Sequence, residues 1–283
     1  PAVLVTYAVV GWFIGRQDTR WPMYIVVLTN TVNIGLDFLL IVGLGLGSNG
    51  AAAATVGAEY LGCALALAAV WRAHPPGTAG LWAQLRDWPG YTRLLRSNRD
   101  LFVRTVCLLL SFAFFTAQGN RLGTEVLAAN TLLMHLLMLA AYGMDGFAFA
   151  AEGLAGTALG AGDRAGFHHA VRRCALWCAV AAATASLFFV LAQPLLPALL
   201  TDIPAVQREM SSYLWWLALL PLIAAPSYLL DGVFIGAAHT RPMMTTMLFS
   251  ALVVYLPAWF LTLPWGNHGL WLAFALFNGA RGA

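Results

Sequence analysis

Eight apolar stretches follow one another along the chain, at about 22–46, 49–71, 100–119, 127–158, 168–199, 211–236, 242–263 and 267–283. Hydrocarbon offers no hydrogen bonds to exposed N–H and C=O groups, so a segment that crosses it must be a helix or part of a closed barrel. A helix needs about 20 apolar residues to span and a barrel strand only about 10. The stretches have helix length, and the chain reads as an all-α polytopic membrane protein. Its composition agrees: 60% of residues are hydrophobic and 10% charged, against roughly 25% charged in soluble domains.

Every basic residue is an arginine, and the arginines are parcelled among alternate connections. One set holds Arg16 and Arg20; Arg72, Arg86, Arg93, Arg96, Arg99 and Arg104; Arg164, Arg172 and Arg173; and Arg241. The other holds only Arg121 and Arg208. By the positive-inside rule the first set is cytoplasmic. A nucleic-acid surface would gather its basic residues on one groove or stripe, so no nucleic-acid partner is expected. Cys63, Cys107, Cys174 and Cys178 fall in or beside spans and read as buried thiols, with no metal site. The chain has no phosphate-binding loop of the G-x-x-x-x-G-K type, and no enzymatic activity, catalytic residue or cofactor is expected.

Within the first stretch, Asp37 follows Asn33 by four residues in NTVNIGLDFLLIVG. A carboxylate inside a span is costly unless it faces protein or water, and its default reading is an ion or proton site. At i,i+4 the two side chains share one helical face, where the amide can hydrogen-bond the carboxyl group or help hold a cation.

An internal repeat organises the chain. IGRQDTRWPM from Ile14 aligns with IGAAHTRPM from Ile235, and NGAAAATVGAEYLG from Asn49 with HGLWLAFALFNGARG from His268. Both copies keep the same order of basic and bare loops, as parallel repeats do. The second unit has spans between Leu101 and about Leu199 with no counterpart before Pro1, so the expectation is a longer protein whose N-terminal part is missing here. On this reading residues 1–71 are the C-terminal part of one helical bundle and 72–98 are a cytoplasmic linker. Residues 99–283 are a second bundle with a truncated last helix. In the linker, Trp82, Trp88 and Leu94 would rest on lipid while Arg86, Arg93 and Arg96 meet anionic headgroups.

Several strings resemble the multidrug and toxic compound extrusion family and, within it, the DNA-damage-inducible protein F branch. They are Gly15-Arg16-Gln17-Asp18-Thr19-Arg20 with Pro22; NIGLDFLLIVGLGLGSNGAAAATVGAEYLG; LAANTLLMHLLMLAAYGMDGFAFAAEGLAGTALGAGD; and DGVFIGAAHTRPM. The resemblance implies a fold of two six-helix bundles facing a central cavity. It also implies antiport of drug-like, often cationic, molecules against protons or sodium. It assigns Asp37 and Asn33 to an ion site on the fifth helix and Thr55 to a hydroxyl from the sixth. An essential aspartate that the family carries on its first helix has no counterpart in this chain. Many relatives have Asp-Pro where this chain has Asp37-Phe38, so a proline-dependent bend is not implied. Asp231 matches a tenth-helix position whose acids take part in cation handling. Without the resemblance, Thr55 in AAAATVG reads as a residue bonding back to its own preceding turn.

Asp145 and Glu152, two turns apart in GMDGFAFAAEG, project from one stripe and suit a cationic substrate or a second proton. Phe147 and Phe149 join them as substrate-cavity candidates. Arg281, inside the last span, needs a counter-charge, and Asp145 or Glu152 is the partner expected. His135 reads as a buried neutral histidine, while Glu59 and Asn278 occupy matching positions of the repeat. The expectation is a monomeric proton-coupled exporter of small organic cations, in contact with lipid, in a bacterial inner membrane. Sodium coupling and a lipid-linked oligosaccharide flippase are the alternatives, although a flippase would want cationic residues in its cavity.

Overall fold

The computed structural model describes residues 1–73 and 88–283, and every regular element among them is helical. The chain divides into two compact units, 1–88 and 89–283. Trp82 and Arg86 of the expected linker lie outside the described residues, whereas Trp88 already starts a long helix and, like Leu94, is exposed.

The first unit holds α1 (Ala2–Gly15), α2 (Arg20–Asp37), a wide π-helical segment (Phe38–Gly43) and α3 (Gly47–Ala73). The buried face of α3 is a row of small residues: Gly50, Ala54, Ala58, Gly62, Ala66 and Ala69. Small residues let helix backbones approach closely in a membrane, where water does not drive association. Accordingly, Gly62 lies against Thr29 of α2, and Gly50 against the carbonyl of Leu40. Away from this seam α2 is largely exposed, with Pro22 and Ile25 its buried residues, as expected of a span with a wide apolar periphery.

The second unit contains α4 (Trp88–Arg121), α5 (Thr124–Gly160), α6 (Arg164–Ala192), the short α7 (Leu196–Leu200) and α8 (Pro204–Gly236). After these come α9 (Thr240–Phe249), a second π segment (Ser250–Tyr255), α10 (Leu256–Thr262) and α11 (Gly266–Arg281). Seven stretches of the described residues are long and apolar enough to cross a bilayer, the last being Thr240–Arg281. That last stretch is two spans, because the backbone breaks at Leu263–Trp265 and Gly266 takes φ +55°. α11 then folds back so that Gly269 sits on the Thr262 carbonyl. The eight expected stretches thereby all fall on helices, with ends shifted by a few residues except in α4 and α8, which start earlier, and in α6, which ends at Ala192. The protein is a multi-pass membrane protein.

The closest packing in this unit is between α5 and α8. Gly232 and Gly236 form a G-x-x-x-G face on α8 whose Cα atoms lie on the backbone of Ala148 and Glu152. Elsewhere the core is aromatic: Phe115, Trp271, Phe274, Tyr255 and Phe277 are all buried and stack edge-on or tilted. One polar knot lies among them. Asn130 and Asn267 exchange amide hydrogen bonds of 2.8 and 2.9 Å, and Trp271 Nε1 donates to Asn130 Oδ1 at 2.9 Å.

Candidate functional site

On α2, Thr29, Asn33 and Asp37 occupy one face at i, i+4 and i+8, so their side chains stack a turn apart. Thr29 Oγ1, Asn33 Nδ2 and Asp37 Oδ1 are each buried without a hydrogen-bond partner. Neighbouring polar side chains of α2 behave differently: Asn30 and Thr31 donate to the carbonyls of Val26 and Val27 at 3.0 and 2.8 Å. The stripe thus consists of the residues whose polar atoms are not consumed by their own helix. It offers a carboxylate, an amide that can present Oδ1 after a flip, and a hydroxyl, all able to receive a proton or a hard cation.

The sequence reading found Asn33 and Asp37 but missed Thr29, although the i,i+4 spacing that joined the first two extends to the third. Thr55 stands apart from them. It is exposed on α3, and its hydroxyl donates to the Ala51 carbonyl at 2.9 Å. No proline follows Asp37, yet the helix changes winding there, because the π segment starts at Phe38.

In the second unit the structure rearranges the expected partnerships. Arg281 makes no hydrogen bond or ion pair with Asp145 or Glu152. It donates to Asp231 Oδ2 at 3.1 Å and to Asn278 Oδ1 at 3.2 Å, and lies over the Phe277 ring at 5.6 Å. Arg104, assigned by sequence to a cytoplasmic loop, is instead sixteen residues into α4 and half-buried, bonded to the same Asp231 oxygen. Asp231 is therefore already held by two guanidinium groups. The underlying reason is that α4, α8 and α11 meet here, a convergence that no spacing within one span reveals.

Asp145 and Glu152 are both half-buried on α5 and, by helix rise, about 10 Å apart. Asp145 lies within electrostatic reach of Asp231, Arg104 and Arg281. The Glu152 backbone lies beneath Gly236. Phe147 packs against a buried cluster around Met144 and Cys178, whereas Phe149 is exposed, so the two rings do not share a face. His135, expected to be buried, is exposed and lines a cleft of about 200 Å³ with Phe112, Phe115, Asn130, Met134 and Met138. Asn278 is committed to Arg281 and the Phe274 carbonyl, and Glu59 is half-buried on α3.

The MatE family model matches residues 101–260. DNA damage-inducible protein F of Escherichia coli is 39% identical over the whole of this chain, which spans 61% of that relative's length. The chloroplastic protein DETOXIFICATION 44 of Arabidopsis thaliana is 28% identical over 99% of the chain and 53% of its own length. Among solved structures, a Vibrio cholerae MATE transporter superposes with a TM-score of 0.91 at 20% identity, covering 99% of this chain and 64% of that one. The helix order, the paired repeats and these matches agree: the chain belongs to the MatE family of membrane transporters.

Proposed function

We propose that the gene product containing this chain is a secondary antiporter that exports drug-like organic cations in exchange for protons, and that Asp37 takes up the proton. One observation carries the reading: Thr29, Asn33 and Asp37 line one face of an apolar span with buried polar atoms that bond to nothing. Each such atom costs about 1–3 kcal/mol when left unsatisfied. Three on one stripe are well explained by a ligand that binds there intermittently. Names of relatives support the class of substrate: a Rhizobium meliloti protein called a probable multidrug resistance protein, NorM, is 27% identical over 93% of the chain. The bacterial source of the Escherichia coli relative is in keeping with the bacterial inner membrane that completes this reading.

In this mechanism Asp37 loads a proton from the outer side and loses its charge. Its helix repacks, substrate leaves outward, and release of the proton inward resets the cavity. Coupling requires that proton and substrate bias the same two-state element. Sodium is the second reading, favoured by the hard oxygens of Asp37, Asn33 and Thr29 on one face. Proteoliposomes containing the gene product separate the two. Substrate flux should follow an imposed pH gradient and vanish in Asp37→Asn. Flux that ignores the pH gradient and follows sodium would sink the proton assignment.

A further inference from the structure

Where α6 and α8 run side by side in the second unit, their surfaces leave a cleft of about 220 Å³. Cys178 and Ala182 of α6 and Ala225 of α8 are its buried floor, while Ala179, Leu222 and Pro226 are its exposed rims. The Cys178 thiol is directed to the Ala225 carbonyl at 3.7 Å. No lining side chain carries a charge, and the cleft suits hydrocarbon. Its depth in the bilayer follows from α6. The helix has no charged residue from Cys174 to Ala192, a run that spans about 28 Å by helix rise, close to the ~30 Å hydrocarbon core. Ala182 lies near the middle of that run and Ala175 at its arginine-bearing end, so the cleft occupies one leaflet, the cytoplasmic one by its arginines.

The same face of α6 turns cationic where it leaves the hydrocarbon. Arg164, His168 and Arg172 precede Ala175, Ala179 and Ala182 along it, at steps of four, four, three, four and three residues. Both arginines are exposed, and among the described residues neither forms an ion pair. Asp163, the acid nearest to them in sequence, accepts from the Gly166 N–H at 2.8 Å as the helix cap. His168 donates from Nδ1 to the Arg164 carbonyl at 2.7 Å, so the charge of the row is carried by the arginines.

A cationic row at headgroup level, in line with an apolar cleft one leaflet deep, is complementary to a molecule with an anionic head and a hydrocarbon tail. We propose that the α6–α8 cleft binds an anionic phospholipid of the cytoplasmic leaflet, one acyl chain in the cleft and the phosphate against Arg164 and Arg172. Arginine lays its methylenes along apolar surface and keeps its guanidinium in the polar layer, where it can grip a phosphate with two parallel hydrogen bonds. Arg173, next in sequence to Arg172, is turned away from this face by helix geometry and serves as its comparison. The site lies wholly within the second unit and stands whether or not Asp37 carries the proton.

Native mass spectrometry of the detergent-solubilised gene product, titrated with phosphatidylglycerol or with phosphatidylcholine of the same acyl chains, tests this. Phosphatidylglycerol should be retained at least about tenfold more tightly, since each arginine near an anionic lipid contributes about fivefold. Arg164→Gln combined with Arg172→Gln should erase the preference, and Arg173→Gln should leave it intact. Ala179→Trp, which fills the cleft and leaves every charge in place, should lower retention of phosphatidylglycerol to the level of phosphatidylcholine. Glycerol phosphate, a head without chains, should not compete. All of these substitutions fall on exposed residues, so the variants fold. Equal retention of the two lipids overturns the proposal, as does a preference that survives the double arginine variant or Ala179→Trp. A preference that falls equally in Arg173→Gln means diffuse surface attraction, competition by glycerol phosphate means a free-phosphate site, and a dimer mass without bound lipid gives the cleft to a second copy; each of these also overturns it.

Discussion

Gln17 and Ala238 hold the same left-handed position in the same turn, one in each unit. They are the non-glycine residues with positive φ among those described, at 59° and 52°. In both turns the residue's N–H donates to an isoleucine carbonyl three residues back at 2.9 Å, Ile14 for Gln17 and Ile235 for Ala238. The next N–H reaches a phenylalanine carbonyl, Phe13 at 3.1 Å and Phe234 at 2.9 Å. A repeat that begins as a shared string of letters is thus also a shared backbone conformation. The left-handed region costs an ordinary residue about 1–2 kcal/mol and glycine almost nothing. Gln17→Gly and Ala238→Gly should each raise stability by about 0.5–1 kcal/mol, after glycine's entropic cost, read as an increase in Tm in detergent.

Replacing Gly232 by Val should do the opposite. A Cβ there collides with the Ala148 backbone, which cannot give way as a flexible side chain would. Separation of α5 from α8 should cost at least about 2 kcal/mol, visible as a lower Tm and faster proteolysis of the membrane-embedded protein.

The Asn130–Asn267–Trp271 knot predicts a polar effect of comparable size. Asn130→Ala removes the acceptor for both Asn267 Nδ2 and Trp271 Nε1. Stability should fall by about 1–3 kcal/mol, with the indole fluorescence of Trp271 shifted in the folded state. An unchanged Tm would mean that water enters and replaces the amide.

Transport should separate the residues that the family resemblance grouped together. Asp37→Asn should abolish proton-driven flux and Thr29→Val should weaken it, because both remove unpartnered atoms of the stripe. Thr55→Ala should change flux by no more than about twofold, since its hydroxyl serves its own helix. The check is initial-rate uptake in proteoliposomes at equal protein density; a Thr55→Ala loss as deep as that of Asp37→Asn would bring Thr55 back into the ion site.

Arginine placement makes a topological prediction within the second unit. A cysteine at Gly162, next to Arg164 and the basic start of α6, should react with an impermeant maleimide only from the cytoplasmic side. One at Asp202, beyond the far end of α6, should react only from the opposite side.

What was legible in the sequence was whatever repeats along one helix. Span positions followed from apolar length, and the shared face of Asn33 and Asp37 from a four-residue spacing. The two turns around Gln17 and Ala238 followed from matching strings. What escaped was contact between helices. Arg104 reads as a loop arginine because it follows Arg93, Arg96 and Arg99 in sequence, and only the meeting of α4 with α8 turns it towards Asp231. Arg281 was matched to acids by need of charge alone, and geometry chose a different one. The winding change after Asp37 was equally hidden, since FLLIVG contains no proline to announce it.

That winding change has a mechanical meaning. A π segment carries its hydrogen bonds over one more residue than an α-helix does, so the helix past Asp37 holds a surplus residue in its coil. Taking up that residue into regular α winding would turn everything beyond it by about 100° and move it along the axis by about 1.5 Å. The pivot sits one residue from Asp37, the carboxylate proposed to take up the proton. Phe38–Gly43 makes up six of the 24 residues of this span, and in the proposed coupling a change of charge at Asp37 would be expressed as rotation of that end of the span.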